Sequence, residues 1–220
     1  MNKMLTAYKK VHQTIISCTT PEQVVSAKKL VTNFHKLFNI QKLTEILEIL
    51  VDRKKFLIEM EIRPVVYMLI GPPGIGKSTY IKEMLLPNGE YTVVSTDNLL
   101  EEKGKKIGLS YNEAFNEFNF KEIEKEFFIN LKIAINERQD IVVDRTNMSK
   151  KGRRRVLNLF PKDYLKIGIL FDFSNRAKLD TQLNKRLSET GKHISKKTVD
   201  RMIESYKEPT LEEFDYITKI

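Results

Sequence analysis

The sequence contains little of the chemistry that builds disulfides or structural zinc sites. It has one cysteine, Cys18, and three histidines, His12, His35 and His193. One thiol cannot form an intramolecular disulfide, and scattered histidines without further cysteines do not make a structural zinc site. No apolar run is long enough to span a membrane, and the first residues, MNKMLTAYKKVHQ, lack an apolar signal core. We therefore expect a cytoplasmic protein with no membrane partner.

Positive charge, by contrast, is plentiful. Lysine and arginine number 38 against 29 aspartate and glutamate residues, which gives a formal net charge of +9. A basic protein is attracted to polyanions such as nucleic acid, acidic lipid or nucleotide phosphates. A lysine-rich solvated surface would give the same balance. The charge therefore favours a nucleic-acid partner without identifying one.

Residues 1–61 have the pattern of helices and no strand pattern. The segment Thr20-Pro21-Glu22-Gln23 is a typical helix start, because Thr20 can cap, proline suits the first turn and Gln23 can reach back. Three stripes of apolar residues recur at helical spacing: Met4, Tyr8, Val11 and Ile15; Val24, Ala27, Val31, Phe34 and Phe38; Leu43, Ile46, Leu47 and Leu50. We predict a helical appendage of three helices.

Residues 62–220 alternate between apolar strands and helices. Short, continuous apolar strands separated by helices predict an α/β fold, a five-stranded, mainly parallel sheet flanked by helices. One long helix is predicted over 111–137. Such a sheet binds its ligands beyond the carboxyl ends of its strands. The predicted strands are VVYMLI (65–70), YTVVS (91–95), DIVVD (140–144), YLKIGILFDF (164–173) and FDYITKI (214–220).

The first of these strands is followed by GPPGIGKST, which fits the phosphate-binding loop G-x-x-x-x-G-K-[ST]. Glycines let the backbone amides curl around an anion, and the next helix adds the positive end of its dipole. Lys77 is expected to bridge the β and γ phosphates, and the Ser78 hydroxyl to ligate Mg²⁺. The residues predicted to bind the nucleotide are Gly71, Pro72, Pro73, Gly74, Ile75, Gly76, Lys77, Ser78 and Thr79.

A carboxylate also stands at or just after the end of the second and third predicted strands. Asp97 follows the second strand, where it fits either a general base for an attacking hydroxyl or a cap for the next helix. Asp144 ends the third strand, where it fits either a Mg²⁺ ligand or an Asx-turn. The apolar strand IVVD, downstream of a phosphate loop, favours the metal role for Asp144.

Three more features carry charge or aromatic rings. The run KKGRRR (150–155) places cations at a helix start, and we expect one or two of them to contact substrate phosphates while the rest are solvated. Lys185 and Arg186 lie in LNKRLSETGKHISKK (183–197), which has the character of a basic lid over phosphates. The following aromatic residues recur mostly at helical spacing, which favours core packing over base stacking for most of them: Tyr111, Phe115, Phe118, Phe120, Phe127 and Phe128.

Taken together, GPPGIGKST, STDN, DRTN with its basic helix, and the NKR…GK lid resemble the 5′-kinase domain of phage-type polynucleotide kinases. The resemblance covers roughly residues 65–220 and implies a P-loop kinase fold that uses ATP, or another NTP, with Mg²⁺. It implies that Asp97 is the general base, that Lys77 and Arg186 act on the transferred phosphoryl group, and that Ser78 and Asp144 hold the metal.

The sequence departs from that family in two places. Leu100 stands where phage-type enzymes have an arginine that contacts the 3′-phosphate of the substrate. The D-x-D-G-T motif of the phosphatase domain found in bifunctional members is absent, and FDF at 171–173 does not replace it. A 3′-phosphate must therefore be recognised by other residues, or the substrate is not a polynucleotide. End-healing at the 3′ side is not expected from this chain alone.

The predicted function is transfer of the γ-phosphate of ATP to the 5′-hydroxyl of DNA or RNA. One alternative keeps the chemistry but uses a nucleoside, a sugar nucleotide or another small alcohol as the acceptor. The other is a nucleic-acid-binding module with a relic nucleotide fold, which would be expected to have lost Lys77 or Asp97.

Overall fold

The computed structural model describes residues 2–220. The chain divides into two compact units, the first ending at Arg63 and the second comprising Pro64–Ile220. In the described part of the chain, no helix combines the length and the apolar character needed to cross a bilayer.

The first unit consists of three helices, α1 (Asn2–Ser17), α2 (Pro21–Phe38) and α3 (Gln41–Ile62). The predicted capping box is present at the start of α2, where the Thr20 side chain accepts from the Gln23 amide and the Gln23 side chain accepts from the Thr20 amide. The three helices share an apolar core: Val11, Ile15, Cys18, Val24, Ala27, Val31, Phe34, Leu47, Val51 and Ile58.

The second unit is an α/β domain with five strands. Its elements, in chain order, are β1 (Val65–Ile70), α4 (Lys77–Tyr80) continued by a π-helical turn (Ile81–Leu85) and a 3₁₀ turn (Leu86–Asn88), β2 (Thr92–Ser95), α5 (Thr96–Lys106), α6 (Tyr111–Glu117), α7 (Phe120–Asn136), β3 (Ile141–Asp144), α8 (Lys150–Leu157), β4 (Leu165–Leu170), α9 (Arg176–Thr190), α10 (Lys196–Glu204) and β5 (Tyr216–Lys219).

All five strands are parallel and follow the order β2-β3-β1-β4-β5. Every residue of β1 is buried, as expected for the centre of a sheet covered on both faces. β3 lies between β1 and β2, and Ser95 at the end of β2 pairs with Asp144 at the end of β3. The polar segments that follow β1, β2 and β3 therefore meet at one edge of the sheet.

The predicted single helix over 111–137 is wrong, because the chain forms two helices there. Phe118 has an extended backbone, and Asn119 starts α7 by accepting a hydrogen bond from the Lys121 amide. Phe118 packs against the buried cluster of Leu100, Ala114 and Ile123. The break therefore coincides with a tertiary contact, because Phe118 packs against a cluster that includes Leu100 of α5.

The basic run at 150–155 also differs from its prediction, because Arg153 is completely buried. Its guanidinium pairs with the Glu213 carboxylate (2.8 Å from Nη2, 3.1 Å from Nε). Nη1 also donates to the carbonyl of Lys207 at 2.8 Å and to those of Asn147 and Met148. Arg153 therefore joins α8 to the segment before β5 and cannot contact a substrate.

Arg153→Met should lower the free energy of unfolding of the second unit by about 3–5 kcal/mol, because Glu213 would be left buried and unpaired. The exposed neighbour provides a matched control, since Arg154→Met should change that value by less than about 0.5 kcal/mol. Native-state hydrogen exchange of the buried amides of β1 measures both. Equal effects of the two substitutions would contradict the role of Arg153 as the buried partner of Glu213.

Candidate active site

The loop between β1 and α4 has the backbone shape of an anion-binding loop. Gly74 and Gly76 have φ angles of 81° and 103°, a region that glycine enters without steric cost. A Cβ on Gly74 would also lie 2.8 Å from the Leu183 side chain of α9. The Gly71 amide donates to the carbonyl of Thr146 at 3.0 Å, which ties the loop to the end of β3.

Lys77 is a buried cation at the start of α4. Its ammonium donates to the carbonyls of Gly71 (3.0 Å) and Pro72 (2.8 Å) within the same loop. Burial lowers the pKa of Lys77 to about 8, and the carboxylates of Asp144 and Asp97 partly oppose that shift. The lysine thus sits where its protonation depends on nearby negative charge.

Asp97 lies in the first turn of α5 but does not provide its cap. The Ser95 hydroxyl caps that helix by accepting from the amide of Asn98 at 3.3 Å. Instead, the Asp97 carboxylate lies 3.6 Å from Arg186 of α9 and accepts a hydrogen bond of 3.1 Å from the Tyr111 hydroxyl. The side chain is still 51% exposed, so its carboxylate is oriented by partners and accessible from the cleft.

Tyr111 is a reliable donor to Asp97. Burial and the adjacent Asp97 charge raise the pKa of the Tyr111 phenol, which therefore stays protonated at neutral pH. The Lys192 ammonium lies over the face of the Tyr111 ring, 4.9 Å from its centroid. Both its hydroxyl and one face of its ring are thus held by charged neighbours.

Asp144 and Ser78, the predicted metal ligands, are oxygen donors of the cleft lining. Both line the same cleft as Lys77, and Asp144 is not needed as a helix cap because Ser149 caps α8. Burial raises the pKa of Asp144, and Lys77 partly opposes that shift. Mg²⁺ is usually bound by one or two protein oxygens together with phosphates and waters. Within residues 2–220 there is no cluster of three or more His, Cys, Asp or Glu side chains that could hold a metal alone. The donor set fits Mg²⁺ bound together with a nucleotide.

The basic lid, residues 183–197, forms the opposite wall. Gly191 ends α9 in the left-handed conformation, at the helix end that a glycine in this position indicates. The side-chain NH₂ of Asn112 in α6 donates to the Gly191 carbonyl at 2.6 Å. The side-chain oxygen of Asn112 accepts from the backbone N–H of His193 at 3.3 Å. Lys192 forms an ion pair with Glu101 of α5. The lid is therefore fastened to the elements that follow β2.

These walls enclose a cleft of about 1100 Å³ at the carboxyl edge of the sheet. The cleft brings together the predicted residues Lys77, Ser78, Asp97, Asp144 and Arg186. Its lining carries net positive charge, because besides Lys77 and Arg186 it includes Lys82, Arg145, Lys185 and Lys192, against the carboxylates of Asp97, Asp144 and Glu189. Of the predicted basic run at 150–155, none lines it.

Three contributors to the site were not predicted from sequence in these roles: Tyr111, Asn112 and Lys192. Ser110 and Glu113 form a capping box that marks the start of α6, and this signal is visible in the sequence. No local pattern, however, shows that the first residues of α6 contact Asp97 and the lid. Those contacts span 14 and about 80 positions of chain.

Comparison with known proteins identifies the family and the fold of the chain. The AAA_33 family model, described as an AAA domain, matches residues 66–209, which is more than half of the chain. No curated protein matches the chain at a significant level.

Solved structures share the fold at low sequence identity. A chain of the Pnkp1/Rnl/Hen1 RNA repair complex is 22% identical, with a TM-score of 0.52 over 65% of this chain and 44% of that chain. A putative kinase from Chloroflexus aurantiacus j-10-fl is 12% identical, with a TM-score of 0.52 over 72% of this chain and 85% of that chain. The chain thus spans less than half of the length of the repair-complex chain. The predicted P-loop kinase fold is confirmed, and the chain belongs to the AAA domain family.

Proposed function

We propose that the protein is an ATP- and Mg²⁺-dependent kinase that transfers the γ-phosphate to the 5′-hydroxyl of DNA or RNA. The observation that carries this proposal is the convergence of Asp97, Lys77, Asp144 and Arg186 on one cationic cleft. A nucleotide-binding loop, an accessible carboxylate and a lid arginine are the parts that phosphoryl transfer to an alcohol requires.

The loop residues 71–79 hold the donor nucleotide. Its amides and the start of α4 bind the phosphates, and Lys77 exchanges its two carbonyl partners for phosphate oxygens. Ser78 and Asp144 would hold Mg²⁺, which would neutralise part of the phosphate charge.

Asp97 acts on the acceptor. Its carboxylate accepts the proton of the acceptor hydroxyl as that oxygen forms a bond to the γ-phosphorus and the bond to the ADP oxygen breaks. The Tyr111 hydroxyl fixes the orientation of the carboxylate, and Arg186 stabilises the charge on the moving phosphoryl group.

The second candidate is a kinase for a small alcohol, and one observation favours it. Arg153 is buried and Arg155 pairs with Glu124 at 3.0 Å, so the basic run at 150–155 offers a nucleic-acid strand less charge than the sequence predicted. The cationic lining of the cleft itself favours the polymer. Binding that weakens steeply with salt distinguishes a polyanionic strand from a small acceptor.

Asp97→Ala should lower turnover by at least about 10²–10³-fold while ATP binding is retained, because only the acceptor side loses its base. Glu102→Ala removes an exposed carboxylate of the same helix outside the cleft and should leave turnover within about twofold. Transfer of labelled γ-phosphate is measured to 5′-hydroxyl DNA, 5′-hydroxyl RNA, a 3′-mononucleotide and free nucleosides.

Label on the oligonucleotides that disappears with Asp97→Ala supports the proposal. Label on the small acceptors alone would establish the second candidate in its place. Undiminished turnover of the Asp97→Ala variant would exclude Asp97 as the general base.

The charge of Lys77 makes nucleotide binding dependent on pH. Bound phosphates raise the pKa of Lys77 above its free value of about 8, so affinity is full below that pH and falls as pH rises through it. We expect the Kd of a fluorescent ATP analogue to rise by up to about tenfold per pH unit above pH 8. Lys77→Met should bind more weakly without this step. The same pH profile in both proteins would contradict the role of Lys77.

A further inference from the structure

Two exposed phenylalanines, Phe115 and Phe120, line the cleft that contains Asp97. Tyr111 contacts the Asp97 carboxylate, and the ring of Phe115 stacks beside it with centroids 6.4 Å apart and an interplanar angle of 29°. Phe120 lines the same cleft from the start of α7. Both phenylalanines belong to the aromatic set for which the sequence favoured core packing, yet they lie in the proposed site.

Their exposure separates them from the other phenylalanines of this unit. Phe115 is 54% exposed and Phe120 is 51% exposed, whereas Phe127, two turns further along α7, is completely buried. Because the helix breaks at Phe118 and Asn119, α6 and α7 each bring one ring to the cleft. Two separate helices therefore each place one exposed aromatic ring in the lining of the cleft.

One polar side chain beside these rings can form hydrogen bonds with the edge of a base. Asn116 lines the cleft between the two phenylalanines in sequence, and its amide both donates and accepts, as the edges of bases require. Tyr111 is already held by Asp97 and Lys192.

We propose that Phe115 and Phe120 form a stacking platform for the unpaired bases at the 5′ end of the acceptor, which is a single-stranded polynucleotide. The net positive charge of the cleft lining attracts its phosphates. The inference rests on the proposed function, because it assumes that the 5′-hydroxyl is delivered to Asp97. It names the substrate within that function.

The test compares two 5′-hydroxyl oligonucleotides that differ only in whether the first two nucleotides carry bases. Phe115→Ala and Phe120→Ala should each raise KM for the base-bearing acceptor roughly tenfold, since stacking on an aromatic ring contributes that much per base. KM for the abasic acceptor and the Kd for ATP should not change. A blunt duplex, whose end bases are paired, should be a poorer acceptor than the single strand for the wild type.

Two controls separate stacking from structural damage. Phe115→Tyr keeps the aromatic face and should keep the wild-type KM. Leu211→Ala removes an apolar side chain that is 74% exposed and lies outside the cleft. It should change neither the KM for the acceptors nor the Kd for ATP. A loss of kcat on both acceptors with Phe115→Ala would mean that this ring only supports Tyr111 and Asp97, and would overturn the platform.

The outcomes distinguish the two proposals. If the wild type phosphorylates both oligonucleotides with the same KM, the platform is overturned and the kinase stands. If it phosphorylates neither, the 5′-kinase itself is overturned and the platform with it. If the wild type has a lower KM for the base-bearing acceptor than for the abasic one, and the two alanine substitutions abolish that difference, both the 5′-kinase and the platform are supported.

Discussion

The parallel hydrogen-bonded register of the five strands is the constraint on which the site depends. Because β3 lies between β1 and β2, the phosphate loop, Asp144 and Asp97 follow strands that are neighbours in the sheet. The pairing of Ser95 with Asp144 brings the ends of β2 and β3 level, and the hydrogen bond from Gly71 to Thr146 ties the loop to the same edge. Residues more than 60 positions apart in sequence are thereby held around one cleft.

Two buried cations, Arg153 and Lys77, differ in how their charge is balanced by neighbouring groups. Arg153 has a carboxylate and several carbonyls as permanent partners, which fix the position of α8. Lys77 has two loop carbonyls, and burial lowers its pKa to about 8 in spite of Asp144 and Asp97. A group left short of negative charge favours an anionic ligand, because binding supplies the missing partner. This difference separates a structural cation from one suited to bind phosphate.

The sequence predicted those parts of the structure that are local. The limits of β1, the phosphate loop, the capping box at Thr20 and the end of α9 at Gly191 follow from short patterns of apolar residues, glycines and caps. The helix break at Phe118, the burial of Arg153 and the hydrogen bond from Tyr111 to Asp97 were not predicted. Each of them depends on a partner that is distant in the chain, and no short pattern encodes such a partner.

The central claim is that the cleft presents an acceptor hydroxyl to Asp97 while the loop holds the nucleotide. The most direct measurement is a crystal structure with Mg²⁺, a non-hydrolysable ATP analogue and a 5′-hydroxyl dinucleotide. The account predicts the 5′-oxygen within about 2.6–3.2 Å of the Asp97 carboxylate, on the side of the γ-phosphate. A dinucleotide bound with its 5′-oxygen away from Asp97, or a nucleotide whose phosphates lie outside the loop, would contradict it.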